Sequence, residues 1–318
     1  MTLPDPGRSK MTRSRTHSLY SAVLTFIILT AFLVSCDSAA AEAIPPDPSV
    51  EPGRSFLFLE ESPPGSEPEP FGTGWFQGGF HSAPVFAPDG KTVWWAGNFG
   101  SQKVYLSRYV DGRWTDQEEV SFSDHIQSYR DPFISPDGLR FYFISTAALP
   151  GENTGGKENL WMMEWNAGSW GEPQPLPESV NSFQLHWTPS VAANYDLYFS
   201  ATIDGNPEIL KSVFKDGAYA EPVPLGYPVN TAELEFTPNI APDQSYLIFS
   251  RTRDHNSPPQ LYISFARDGG WTEAIHVENV ASCISPIVTP DRKYVIYLAG
   301  PTALEWRDTT FIEELRPQ

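Results

Sequence analysis

Five side chains with metal-binding or acid–base chemistry stand at equivalent places in a repeated sequence. Each lies three residues before a proline that opens one copy of the repeat; the five are His81, Tyr129, His186, Glu235 and Cys283. Imidazole and carboxylate groups bind Zn²⁺ at about 2.0–2.3 Å in a tetrahedral arrangement. His81, His186 and Glu235 are therefore candidate metal ligands, provided that their side chains converge. No other pattern indicates a cofactor, so none is expected apart from this metal.

Carboxylates beside these positions offer a second kind of chemistry. Asp131, Glu233 and Glu235 are candidate catalytic groups of a glycosidase. Such an enzyme needs two carboxyl groups about 5–5.5 Å apart for retention, or about 6.5–9.5 Å apart for inversion. The sequence does not fix these distances. It contains no HExxH, CxxC, GxSxG, GxGxxG or P-loop motif, so no established catalytic class is indicated.

The same region carries groups that could bind a ligand without reacting with it. Arginine donates charge-assisted hydrogen bonds to carboxylates and sugar hydroxyls, and carboxylate side chains accept them from sugar hydroxyls. The candidate ligand-binding residues are His81, Tyr129, Arg130, Asp131, His186, Glu235, Arg251 and Arg253. In the structural alternative, these side chains only bind water and close a narrow channel.

The repeat that must position these residues has five copies. The copies open at Pro84, Pro132, Pro189, Pro238 and Pro286. Each reaches an Asp or Asn five residues later, and these residues are spaced by 48, 57, 49 and 48 positions. Self-similarity at such a period means that each copy is one supersecondary unit, which buries its faces by stacking on its neighbours.

Each copy predicts four antiparallel strands. Two short aromatic and β-branched runs flank a Pro-Asp turn, in which the Asp caps the turn. A third run ends at a second turn such as Asp111-Gly112, and a Pro-containing edge strand completes the unit. Four strands with a recurring aromatic residue are typical of a propeller blade. The expected fold is all-β, a five-bladed β-propeller of four-stranded blades.

The two ends of the repeat region complement each other. The last copy lacks a fourth strand, whereas the segment Pro70–Phe76 resembles a fourth strand and precedes the first copy. We expect this N-terminal strand to pair beside Leu304–Trp306 and close the ring, which removes two exposed sheet edges. Residues 55–318 are then a single propeller domain, expected to be a monomer.

The strings SPDGLRFYF, APDQSYLIF and TPDRKYVIY resemble the WD40-like Pro-Asp β-propeller repeats of the TolB-like group. The third copy departs from that pattern, with Ala193-Asn194-Tyr195 in place of Pro-Asp-Gly. The resemblance implies a propeller that works as a protein-interaction module in the bacterial envelope. A shared fold hosts many functions, so the function itself must be argued from a site.

The first 35 residues resemble a signal peptide, with Met11 as an alternative start. The apolar stretch ends at Leu33-Val34-Ser35-Cys36, which resembles a lipoprotein lipobox and implies lipidation, by palmitate among other acyl chains, at Cys36. An ordinary signal peptide cleaved near Ala39–Ala41 is the alternative. Residues 36–54 then form the lipidated cysteine and a disordered tether. By the enterobacterial sorting rule, Asp37 favours the periplasmic side of the inner membrane, with the outer membrane as the second possibility.

The charge balance excludes one class of partner. The chain has 21 basic and 39 acidic residues and a formal net charge of −18, so nucleic acid should be repelled. Contact with a membrane is expected through the lipid anchor only.

These observations together predict an envelope-anchored lipoprotein that acts as a binding module through its axial loop face. The expected partner is an envelope protein or peptide, or a small ligand or oligosaccharide. The alternative is a carbohydrate-active, glycosidase-like enzyme with carboxylates at the propeller axis.

Overall fold

A computed structural model describes residues 58–76, 79–97, 103–126 and 128–318, except for the side chains of residues 185–187. In these ranges the chain forms five antiparallel sheets, each with four main strands. The five-bladed propeller predicted from the repeats is confirmed. No helix in the described part of the chain has the length and apolarity needed to span a membrane.

The strands follow the repeat in a regular order, and the first strand of each blade is the innermost. The first strands are Val85–Phe86, Arg130–Ile134, Leu185–Val191, Leu234–Ile240 and Ile284–Val288. The second strands are Thr92–Ala96, Arg140–Ser145, Leu197–Ile203, Tyr246–Thr252 and Tyr294–Gly300. The third strands are Val104–Val110, Asn159–Asn166, Asn206–Ser212, Gln260–Arg267 and Ala303–Asp308. The fourth strands are Glu118–Val120, Gln174–Pro175, Val223–Pro224, Ile275–His276 and, for blade 5, Glu69–Pro70.

Short segments after the second turn add a separate two-residue ladder in blades 1 to 4. These segments are Arg113–Trp114, Ser169–Trp170, Phe214–Lys215 with Ala218–Tyr219, and Gly270–Trp271. Two short helices complete the described structure, Glu178–Asn181 and Thr310–Glu314. The second helix buries Phe311 and Ile312 in the apolar cluster of blades 4 and 5.

The Asp or Asn five residues after each repeat proline has the same structural role in every blade. Its side-chain oxygen accepts a hydrogen bond from the backbone N–H two residues later, at distances of 2.8, 3.0, 3.1, 3.1 and 3.2 Å in chain order. Asn194 makes this bond although its copy lacks the Pro-Asp-Gly string. The interpretation of these residues as turn formers is therefore correct, because each one caps the turn between the first two strands.

The N-terminal strand closes the ring as predicted. Glu69 and Pro70 pair with Trp306 and Glu305, and the Phe71 N–H donates to Leu304 O at 2.9 Å. The strand is shorter than the predicted Pro70–Phe76, because the chain turns at Gly72. Gly72 has a φ of 62°, and a Cβ there would lie 2.4 Å from the ring of Phe76. Only glycine fits this turn.

Candidate functional site

Arg130, Glu235 and Arg251 lie at one end of the ring, where the first strands of blades 2 and 4 begin and the second strand of blade 4 ends. Arg130, at the start of the first strand of blade 2, pairs with Ile144 near the end of the second strand. The connection 146–158 therefore lies at the same end as Arg130, and so does 253–259 in blade 4, where Glu235 pairs with Arg251. We call this end the mouth face. The Pro-Asp turns lie at the opposite end, the turn face.

The axis below the mouth face is closed by residues that directly precede the repeat prolines. Thr188 Oγ1 of blade 3 lies 2.8 Å from Ser285 Oγ of blade 5, so this contact crosses the ring between blades that are not neighbours. Ser285 Oγ also accepts from the Ala83 N–H at 3.3 Å, and the Ser285 N–H donates to Thr237 Oγ1 at 3.1 Å. These residues are at most 1% exposed. These contacts join blades 1, 3, 4 and 5 at this level of the axis.

A bulge in the first strands brings these groups to the axis. Asp131, Thr237 and Ser285 have φ values of 47°, 48° and 54°, which non-glycine residues seldom adopt. The strand register shifts across the same positions in blades 2, 4 and 5. Thr188, Thr237 and Ser285, whose hydroxyl groups meet at the axis, were not predicted from the sequence. Their signal is the Ser or Thr directly before three of the five prolines.

The structure brings together three of the predicted residues, His81, Arg130 and Asp131. His81 Nδ1 lies 2.6 Å from Asp131 Oδ1, and the two residues are 7% and 1% exposed. Arg130 Nη1 donates to Glu158 Oε1 at 2.7 Å in the connection 146–158. The His81–Asp131 contact joins blades 1 and 2 across their interface, and the charges of Arg130 and Glu158 lie near enough to act on His81.

The charges around His81 favour its protonated form. Burial alone would lower the pKa of His81, and the Arg130 charge acts in the same direction. The charge of Asp131 and its hydrogen bond raise the pKa, with a smaller contribution from Glu158, and the net direction is upward. The pair is therefore an imidazolium–carboxylate pair at a pH near or below the ordinary histidine range.

This pair predicts a pH-dependent contribution to stability. Because folding raises the pKa of His81, the contribution is fully present below the unfolded-state value of about 6.5 and is lost as pH rises through the folded-state pKa. The substitution His81→Gln should therefore lower the free energy of unfolding most at acidic pH and least at alkaline pH. Denaturant unfolding across the neutral range measures this, with His255→Gln on the exposed loop as control. A pH-independent effect of His81→Gln would contradict the charged pair.

Glu235 occupies a second buried cluster, between blades 3 and 4. It is 0% exposed, and Oε1 lies 2.8 Å from Arg251 Nε, in an ion pair whose N–H is poorly aligned for a hydrogen bond. Thr231 supplies two bonds instead, from Oγ1 to Oε1 at 2.6 Å and from its N–H to Oε2 at 3.1 Å. Arg251 Nη2 donates to Val229 O at 2.8 Å. The carboxylate thus ties blade 4 to the connection that leads into it.

Tyr129 and Cys283 belong to neither of these two clusters. Tyr129 is 3% exposed and packs on Phe143, and its OH donates to Ser123 O at 3.3 Å. Cys283 is 0% exposed in the apolar cluster of blades 4 and 5, and burial raises the pKa of its thiol. Equivalent repeat positions therefore do not share one environment.

Glu233 and Arg253 are more exposed than the other predicted residues whose side chains the structure describes. Glu233 lies 3.9 Å from Arg251 with a half-exposed side chain, and Arg253 is exposed beside Asp254 at 3.6 Å. His186 belongs to the first strand of blade 3, but its side chain lies outside the described part of the structure. Among the described residues, no three His, Cys, Asp or Glu side chains are grouped so as to hold a metal ion. The set His81, His186 and Glu235 stays a prediction.

Comparisons with known proteins find distant likenesses only. No family model matches the chain, and no curated protein matches it. Among solved structures, a putative TolB from Agrobacterium tumefaciens is 17% identical at a TM-score of 0.48, over 68% of each chain. TolB from Acinetobacter baumannii is 14% identical at 0.46, over 70% of this chain and 53% of its own length. A gluconolactonase from Xanthomonas campestris is 13% identical at 0.45, over 81% of this chain and 98% of its own.

These likenesses are too distant to assign a family or an activity. This chain spans about half the length of the Acinetobacter baumannii protein. The fold rests instead on the chain's own strand pairing, which closes blade 5 with residues from its N-terminal side. On that pairing the chain is a five-bladed β-propeller.

Proposed function

We propose that this propeller is a binding module that presents its mouth face to a polypeptide. The proposal rests on one observation: two of the three candidate catalytic carboxylates are buried and paired with a basic side chain. Asp131 is 1% exposed and paired with His81, and Glu235 is 0% exposed and paired with Arg251. Carboxylates buried and paired in this way are shielded from a substrate in solvent. Asp131 joins blades 1 and 2, and Glu235 ties blade 4 to the connection before it. This favours binding over the glycosidase alternative.

The mouth face has the properties of a recognition surface. Its connections differ in length from blade to blade, whereas the Pro-Asp turns of the turn face repeat one geometry. Exposed charged groups stand on two of the mouth connections, Lys157 in blade 2 and Arg253 in blade 4. Variable loops on a rigid repeat scaffold commonly carry binding.

Display panning tests this proposal. Random dodecapeptides are selected on the purified full-length chain, and the affinity of an enriched peptide is then measured on two charge-reversal variants. One carries Arg253→Glu on the mouth face, and the other carries Lys293→Glu on the turn face. Both side chains are exposed, so both variants should fold and they carry the same change of net charge.

We expect the mouth variant to bind about 10-fold more weakly and the turn-face variant to stay within about twofold. Equal losses in both variants would indicate a non-specific charge effect and would contradict the proposal. Failure to enrich any peptide would contradict it as well.

We also propose that lipid at Cys36 holds the domain in the bacterial envelope, with Asp37 favouring the inner membrane. Both residues lie outside the described part of the structure, and the proposal rests on the lipobox-like sequence. Replacing Cys36 by Ser removes the thiol that accepts the acyl group. The Cys36→Ser chain should lose incorporation of labelled palmitate and should leave the membrane fraction, whereas Ser38→Ala should keep both. Palmitate labelling of the Cys36→Ser chain would show that the anchor lies elsewhere.

A further inference from the structure

The connection 146–158 of blade 2 is longer than its counterparts. The equivalent connections are 204–205 in blade 3, 253–259 in blade 4 and 301–302 in blade 5. This long connection lies within the single long step of 57 in a repeat otherwise spaced by 48 or 49 positions. Insertions in repeat proteins map to loops on one face, which is often the binding face. Here that face is the mouth face.

This insertion loop has a defined shape. The Gly156 N–H donates to Thr146 O at 2.9 Å, and the Glu152 N–H donates to Leu149 O at 2.9 Å. Gly156 has a φ of 132°, and a Cβ on Gly155 would lie 2.1 Å from Thr146 O. Two adjacent positions therefore accept only glycine, because the loop folds back closely on its own backbone. The Lys157 ammonium group ties its end to Asn181 O.

The folded loop encloses a depression of about 490 Å³. Its polar lining residues are Glu152, Asn153, Thr154, Lys157 and Asn159, beside Ala147 and two glycines. A concavity of this size suits a small molecule, since such sites span about 300–1,000 Å³. Asn159 is 2% exposed, and its Oδ1 has no hydrogen-bond donor among the described residues. A buried acceptor of this kind calls for a donor from water or a ligand.

The charges and hydrogen-bonding groups that line the depression indicate the class of ligand. The lining holds one carboxylate, Glu152, and one ammonium group, Lys157, so it carries no net charge. It offers donors and acceptors together, and a hydroxyl group both donates and accepts. An anionic ligand would be repelled by the net charge of −18. We propose that this depression is a binding subsite for a neutral, hydroxyl-rich ligand of the size of a mono- or disaccharide.

The proposal rests on the proposed function in placing recognition on the mouth face. Saccharide binding is tested with a separate probe, so the two can fail separately. Peptide binding without saccharide binding would contradict only the proposed saccharide subsite. Saccharide binding without peptide binding would contradict only the proposed polypeptide partner.

Saturation-transfer NMR on the full-length chain tests the subsite with a panel of neutral mono- and disaccharides. Free lysine and glutamate serve as charged probes of similar size. The test variant is Glu152→Ala with Thr154→Val, and the control is His255→Ala with Asn256→Ala in the blade 4 connection; all four side chains are exposed. Thermal melting of each variant checks that the fold is intact.

We expect at least one saccharide to bind and its affinity to fall about 10-fold in the test variant, while the control stays within about twofold. As a second variant, Gly155→Ala should abolish binding by distorting the loop, since no space exists for its Cβ. Absence of binding across the saccharide panel would overturn the proposal. So would equal binding by the test variant and the wild type, or a preference for the charged probes.

Discussion

Deleting residues 58–76 should unfold the whole propeller instead of shortening it. The segment supplies the fourth strand of blade 5, through the pairing of Glu69 and Pro70 with the third strand. It also buries Phe58 and Phe71, each 2% exposed, and the Phe71 ring lies 4.8 Å from Trp306. Without it, the ring opens and two sheet edges lose their partners.

Point variants give this prediction a graded form. Phe71→Ala should lower the free energy of unfolding by about 3–5 kcal/mol, as expected for a large buried aromatic side chain. Thr73→Ala, two residues away and exposed, should change it by less than about 0.5 kcal/mol. Denaturant unfolding measures both. If the deleted chain still melts cooperatively near the wild-type temperature, the ring is not closed by this segment.

Arg251→Ala should be among the most destabilising single substitutions at the mouth face. It leaves the carboxylate of Glu235 fully buried without its cation, and breaking a buried ion pair from one side costs about 3–5 kcal/mol. The guanidinium also packs over the Tyr262 ring at 4.6 Å, so its removal loses packing as well. The variant should show a lower midpoint of denaturant unfolding with an unchanged slope.

Two controls isolate the cause. The double substitution Glu235→Leu with Arg251→Met replaces both charges by apolar groups, and it should recover much of the loss. Lys103→Ala breaks the exposed Lys103–Glu119 pair, whose side chains are 44% and 49% exposed, and should have little effect. If Arg251→Ala is no worse than Lys103→Ala, the buried pair does not stabilise the fold as described.

The fold was predictable because the repeat encodes local geometry. The Asp or Asn that caps each first turn can be read directly from the sequence, and all five make the same hydrogen bond. The closing strand was placed correctly because only one segment could complete blade 5. Its length was not predictable, because the turn at Gly72 depends on the ring of Phe76.

The candidate site was much less predictable. Equivalent repeat positions have different environments, because Cys283 packs in an apolar cluster whereas Glu235 contacts Arg251 and Thr231. The partners come from different places, since Arg251 lies in the same blade as Glu235 and Thr231 lies in the connection before it. The repeat does not encode these pairings. His81 and Asp131, about one repeat apart, meet only because blades 1 and 2 stack.

Hydrogen–deuterium exchange of the full-length chain, with and without a peptide enriched by panning, tests the central claim most directly. If the mouth face binds, added peptide should slow exchange in residues 146–158 and 253–259, and it should leave the turns at 88–90 and 136–138 unchanged. Protection confined to the turn face, or the same protection over all five blades, would contradict recognition by the mouth face.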